Sequence, residues 1–225
     1  MKLSFGELII KNSNRKINYI DNLLKNIEIR FKDLLYFFNL EKINIPIQIV
    51  LWDNLEDFRN HEKSKGRKNI PNWLCGTASM KNNYHLINSL TLEELRKCES
   101  HKNATLQSLE NLIIHELTHS VTRCFLPTQY KETKVWIKEA LATSLSHQSH
   151  SLRFGQTISN LYKDDFIDYG AFHVIGDYLI SQTSKEYIHE LLINKNFLEN
   201  QIPNIYNGVK EYFDQIILSN LKSLN

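Results

Sequence analysis

The sequence has no long apolar run, no concentration of positive charge and few cysteines, and each shortage removes a class of function. No stretch approaches the roughly 20 consecutive apolar residues that a membrane helix needs, so no membrane partner is expected. The opening MKLSFGELIIKNSNRK carries only a broken apolar segment and meets Glu7 early. It lacks the long apolar core and small-residue cleavage site of a secretory signal, and the expected location is cytoplasmic. The formal net charge is +2, and the densest basic run is KSKGRK at 63–68, which reads as a solvated loop. Nucleic-acid binding needs clustered basic charge, so no nucleic-acid partner is expected. Cys75, Cys98 and Cys124 are odd in number and widely spaced. They form neither a disulfide framework nor a C-x-x-C knuckle, which leaves them as reduced packing residues. Internal repeats and low-complexity linkers are absent.

What is present is an ordinary globular pattern. A length of 225 residues suits one large domain or a compact core with a helical extension. Apolar residues at Ile17, Ile20, Leu24, Ile27, Phe31, Leu34 and Phe38 alternate three and four apart, which predicts an amphipathic helix over 17–38. Pro46 then opens IQIVLW, a buried strand at 47–52, and DNLEDFRNH follows as a short helix capped by Asp53 or Asn54. WLCGTASM (73–80) and YHLIN (84–88), separated by KNN, predict a hairpin. From Thr91 onward the pattern is helical. TLEELRKC has a Thr and a Glu at capping-box spacing. Further helices are expected over 106–124, 135–147, 168–182, 185–194 and 204–222. The predicted fold class is therefore α+β, with a helix and a small sheet in 1–90 and a mostly helical part in 91–225.

One stretch carries chemistry. IIHELTHS, 113–120, holds His115, Glu116 and His119. Four residues on an α-helix turn through about 400°, so the two imidazoles project from one face, one turn apart. Both can reach a zinc ion at about 2.0–2.1 Å. Glu116 is turned away by about 100°, too far to share the same shell easily, and can instead act as a base on an activated water. Leu109, Leu112, Ile113, Leu117 and Val121 predict that the rest of this helix is buried. A catalytic zinc needs a third protein ligand, and VWIKEALATSL (135–145) offers Glu139 among Trp136, Ile137, Ala140, Leu141 and Leu145. A carboxylate in such a setting is costly unless it is paired or metal-bound. Ala140 and Ala142 let the helix approach a neighbour closely.

HELTH followed by WIKEALA resembles the gluzincin metallopeptidases, whose HExxH helix precedes a helix carrying a Glu ligand. The texture is similar to the aminopeptidase-N-type catalytic core and the compact peptidase MA-like domains. That second likeness covers most of the chain: IPIQIVLWDNLEDF and CGTASM lie before the motif helix and YGAFHVIGDYL (169–179) after it. The resemblance implies a zincin-like fold in a single metallopeptidase domain. It implies His115, His119 and Glu139 as ligands of one zinc per chain, Glu116 as general base, and Tyr169 or His173 as the donor to the oxyanion. The partner it implies is a peptide or protein substrate. Two positions depart from the family. Lys81 follows Met80 where aminopeptidases carry the Glu that holds a free amine, which favours cutting inside a chain. Thr143 stands four after Glu139, where thermolysin-like enzymes have an Asp supporting a ligand. Two other readings stay open: an aminopeptidase that binds the amine differently, and a catalytically silent module that binds zinc or peptide.

Histidines 61, 85, 101, 147, 150 and 189 have no such context, and SHQSH (146–150) reads as a solvated helix end. Oligomeric state and substrate sequence are not legible.

Overall fold

The strand at the middle of the sheet is β3 (Ile47–Trp52), and its composition explains the position. Ile47, Ile49, Val50, Leu51 and Trp52 are all buried, so both of its faces are covered, as a near-continuous β-branched and apolar run requires. It pairs in parallel with β2 (Gly6–Lys11) on one side and with β5 (Tyr84–Leu90) on the other. The short β1 (Lys2–Leu3) and β4 (Gly76–Lys81) add to the two edges in antiparallel fashion, giving the order β1-β2-β3-β5-β4. A computed structural model describes residues 1–11, 13, 16–81, 83–148 and 168–222. Among them the chain is α+β and mostly helical, with this one five-stranded mixed sheet and eight α-helices.

Two compact units divide the chain, Met1–Cys124 and Phe125–Asn225. Strands do give way to helices after residue 90, where β5 ends, but compactness divides the chain later, at the end of the motif helix. Within the first unit, α1 (Ile20–Phe37) buries Leu23, Ile27, Phe31 and Leu34. Its buried face therefore passes through Leu23, and Leu24 is only half-buried. The helix begins three residues later than its apolar periodicity suggests, and Ile17 is buried ahead of it. α2 (Leu55–Ser64) is capped by Asn54, whose side chain accepts from the Asp57 N–H at 3.0 Å.

The capping box expected at Thr91 does not form at α3 (Leu92–Leu95). Thr91 Oγ1 donates to Asp53 at 2.9 Å instead, and Glu94 accepts from the Leu55 N–H at 3.0 Å, at the start of α2. Tertiary partners take both residues away from the local motif. β2 also escaped the sequence reading, because GELIIK shows no alternation of apolar and polar residues. A short 3₁₀ turn, Glu99–His101, leads to α4 (Leu106–Phe125).

The second unit holds α5 (Val135–Leu145), α6 (Tyr169–Gln182), α7 (Lys185–Ile193) and α8 (Lys195–Lys222). α8 starts well before the expected 204 and contains Pro203. The buried series Leu198, Ile202, Ile205 and Val209 runs straight through the proline at four-three-four spacing. A continuous apolar seam thus outweighs the lost backbone donor. α5 and α6 touch through their backbones: a Cβ on Gly176 would lie 2.2 Å from the Ala140 carbonyl oxygen. The small residues that predicted a close approach by α5 therefore meet their counterpart in Gly176. No described helix is long and apolar enough to cross a membrane.

Candidate metal centre

The HExxH segment lies in the middle of α4, a helix with twelve of its 20 residues buried. Leu109, Ile113, Ile114, Leu117 and Val121 are fully buried, His115 and Glu116 are only 4% and 8% exposed, and His119 is half-buried. The helix's own hydroxyls stay out of the way. Thr118 Oγ1 donates back to the Ile114 carbonyl at 2.8 Å, and Thr122 Oγ1 to the Thr118 carbonyl at 2.7 Å. α1 is tied to the start of α4 by Asn26 Nδ2 donating to Glu110 at 2.7 Å and Arg30 donating to Asn111 at 2.6 Å.

His115 and His119 do share a face. Their Nε2 atoms are 3.2 Å apart, and the rings meet edge to face at 78°. Two nitrogens bound at 2.0–2.1 Å to one tetrahedral ion lie about 3.3 Å apart, so the pair has the spacing of two ligands. A ring N–H of one shared with the bare nitrogen of the other gives a similar distance. The distance alone fits either an ion or a proton between the rings.

Glu116 faces the edge strand. Its Oε1 lies 3.1 Å from where a Cβ on Gly76 would stand, and Leu112 Cδ1 lies 2.9 Å from the same point. Thr77, the next residue of β4, points to the opposite face, where its Oγ1 donates to the buried Glu62 at 3.0 Å. Lys65 at 2.6 Å and Arg67 at 3.4 Å neutralise Glu62 in turn.

In the second unit Glu139 is half-buried on α5 beside the fully enclosed Ile137, Ala140 and Leu141. One turn further on, Thr143 is buried and its Oγ1 has no hydrogen-bond partner among the described residues. One ligand atom from each of His115, His119 and Glu139 lies within 4.8 Å of the other two, a grouping of donors able to hold a metal ion.

Tyr169 is the first residue of α6. Asp168 caps that helix by accepting from the N–H groups of Gly170 at 3.0 Å and Ala171 at 3.2 Å. The Tyr169 ring packs edge-on against Phe172 with centroids 5.6 Å apart. His173, one turn on, places Nε2 3.1 Å from Asp177 Oδ2, and Ser144 Oγ of α5 donates to the other carboxylate oxygen. Burial pushes the Asp177 carboxyl up, but the bonds from His173 and Ser144 outweigh it and hold the group below its ordinary range. The sequence reading missed Asp177, although its place four residues after His173 is a legible signal. It also took Gly76 only as part of a strand, although an isolated strand glycine often marks the close approach of another element.

The remaining histidines have structural surroundings. His61 lies over Trp52 with ring centroids 4.9 Å apart, and His189 lies against Phe125 at 4.7 Å. His85 is buried with Nε2 3.4 Å from Cys124 Sγ. Burial, helped by Arg123, pushes its pKa down to about 4. His101 Nδ1 is 3.7 Å from Cys75 Sγ. His147 is exposed just past α5, at a φ of 56°, and His150 lies outside the described residues. All three cysteines are free thiols.

No protein-family model, curated protein or solved structure matches the chain.

Proposed function

We propose that this chain is a zinc-dependent peptidase of the gluzincin type, with a zincin-like fold, that cuts inside peptide chains. The grouping of His115, His119 and Glu139 carries the reading. Two imidazoles and one carboxylate are the donor set of a catalytic zinc that keeps a position open, and a closed structural site would use four protein ligands. The 3.2 Å separation of the two imidazole nitrogens is compatible with that donor set.

His115 and His119 would hold the ion through Nε2, and Glu139 through a carboxylate oxygen. Zinc bound there supplies a Lewis acid and brings the pKa of a water toward 7. Glu116, next to a ligand and turned away from the pair, takes the proton of the attacking water and passes it to the leaving amine. Tyr169 donates its phenolic hydrogen to the oxyanion, which carries more charge in the transition state than the substrate carbonyl does. His173, held by Asp177, is the alternative donor. β4 is the outermost strand on its side of the sheet, and its outer edge can take an extended peptide as a further strand. That mode supplies main-chain hydrogen bonds without reading sequence. Lys81 at the end of that strand offers nothing to hold a free amine, which supports internal cleavage.

The test is a metal analysis coupled to digestion of a peptide library. Purified protein should hold about one zinc per chain, and Glu139→Ala should lose it during dialysis against a chelator that leaves the parent loaded. Retention of zinc by Glu139→Ala as tight as the parent's rules out the third ligand. Cleavage of free peptides but not their N-acetylated forms shifts the assignment to an aminopeptidase. Zinc without cleavage of any peptide leaves a binding module.

A further inference from the structure

We infer that Gly76 is a positioning residue for Glu116: the side chain it lacks is the space in which the carboxylate stands beside β4. The inference rests on Glu116 as the general base, and its geometry lies wholly within the first unit. A Cβ at position 76 would stand 2.9 Å from Leu112 Cδ1, 3.2 Å from Leu112 Cγ and 3.1 Å from Glu116 Oε1. Ordinary van der Waals contact begins near 3.4 Å, so both neighbours must give way. Neither contact involves backbone, so an added methyl leaves the path of the chain alone and acts on two side-chain ends.

The strand itself cannot retreat to make room. Gly76 pairs with Ser89, and Thr77 pairs with Asn88. Thr77 is also bound on the far face of the sheet to Glu62, which Lys65 and Arg67 hold in place. β4 is thus fixed from its inner edge and from the face opposite α4. The strain of an added methyl falls on Leu112, which is packed in the core, and on the Glu116 carboxylate, which turns on a flexible stem. A displacement of a few tenths of an ångström is enough to matter. Proton transfer needs donor and acceptor about 2.6–3.2 Å apart, and a misplacement of about 1 Å costs about 10²-fold.

The test is a double-substitution cycle. Gly76→Ala should lower kcat about tenfold, leave KM nearly unchanged and keep one zinc per chain. In a Glu116→Gln background, where the base is already gone, Gly76→Ala should cost no further activity. An equal fold-loss in both backgrounds, a loss that appears only in KM, or an unchanged kcat overturns the inference. Parental turnover in Glu116→Gln alone overturns the base assignment instead, so the two failures are told apart. A second readout does not use activity. In metal-free protein, Gly76→Ala should lower Tm less when Glu116 is already Ala than when Glu116 is intact, because the clash is then half removed. The same drop in both backgrounds, or failure to fold in both, shows that Gly76 does not act through the Glu116 carboxylate.

Discussion

The two compact units hold their buried polar groups by different means. In the first, several partners are far along the chain, beside the local lysines on Glu62 and Glu94. Glu110 is held by Asn26, Glu62 by Thr77, and Glu94 by the N–H of Leu55, with sequence separations of 84, 15 and 39 residues. In the second, several partners are local or sit on the two helices that touch, and Thr133 reaches the Leu192 carbonyl of α7. Lys138 donates to the Tyr130 carbonyl and lies over the Tyr130 ring, and His173 reaches Asp177 one turn away. Asp177 is then completed by Ser144 of α5. The glycines repeat the contrast. Gly76 faces side-chain ends on α4, and Gly176 faces a backbone carbonyl on α5. A sheet covered by helices leaves its polar residues to find partners across elements. A close helix pair leaves no room for them and keeps polar groups to the rim of the contact.

Substitutions at the two sets of candidate residues sharpen this contrast, and the largest effect belongs to the first unit. Glu116→Gln keeps the shape and removes the base, so turnover should fall by about 10²–10⁴-fold with normal zinc content. Steady-state kinetics beside metal analysis measures it, and near-parental turnover sinks the mechanism. Next comes α6. Tyr169→Phe should cost about 10²–10³-fold in kcat if the phenol is the oxyanion donor, with KM and zinc almost unaltered. His173→Ala is the comparison. A kcat loss in His173→Ala with a parental Tyr169→Phe reverses the two roles, and no loss in either removes α6 from the active site.

The glycines provide the third contrast, in stability. Gly176→Ala drives a methyl into the Ala140 carbonyl, and overpacking of this kind costs about 1–3 kcal/mol. Gly76→Ala should cost clearly less, because only side-chain ends must move. Chemical denaturation of the two variants reads this directly, and the reverse order breaks the distinction between hard and soft neighbours.

The smallest effect is a difference in pH dependence. His85 of the first unit has its folded pKa pushed down to about 4, below the ordinary histidine value near 6.5. The unfolded chain therefore binds the extra proton first. Stability should fall as pH drops below about 6.5, and this contribution should level off near 4. Asp177 of the second unit has a depressed folded pKa. Its contribution is present above the ordinary carboxylate range and is lost only as pH falls through the lowered value. His85→Gln should flatten the slope between pH 6.5 and 4 in denaturation midpoints, and Asp177→Asn should alter only the more acidic part. An unchanged slope in His85→Gln shows that the residue titrates normally.

Much of the candidate site was readable without coordinates because its signals are periodic and short-range. The spacing of His115 and His119 fixes their common face through helix geometry alone. The apolar setting of Glu139 marks a carboxylate that needs a partner, and the 47–52 strand announces itself by a run of β-branched residues. The helix at 195–222 was only half readable, since Pro203 is a local stop signal and the seam that overrides it runs over several turns. Gly76 and Asp177 were written in the chain but carried no weight until their neighbours were known.

Local chemistry in this sequence determined most of the helical segments, that the third strand is buried, and that three side chains with metal-ligand character lie on two helices. Steric rules, burial and helical repeat act over a few residues, so a short window contains all that they need. Only the tertiary structure decided that Lys2–Leu3 and Gly6–Lys11 join the sheet, that Thr91 and Glu94 abandon their capping box for Asp53 and Leu55, and that β4 presents a glycine to Glu116. Each of those outcomes is a competition between a local partner and a distant one. The distant partner wins when folding brings it near and shields both groups from water, where an unpaired polar group costs most.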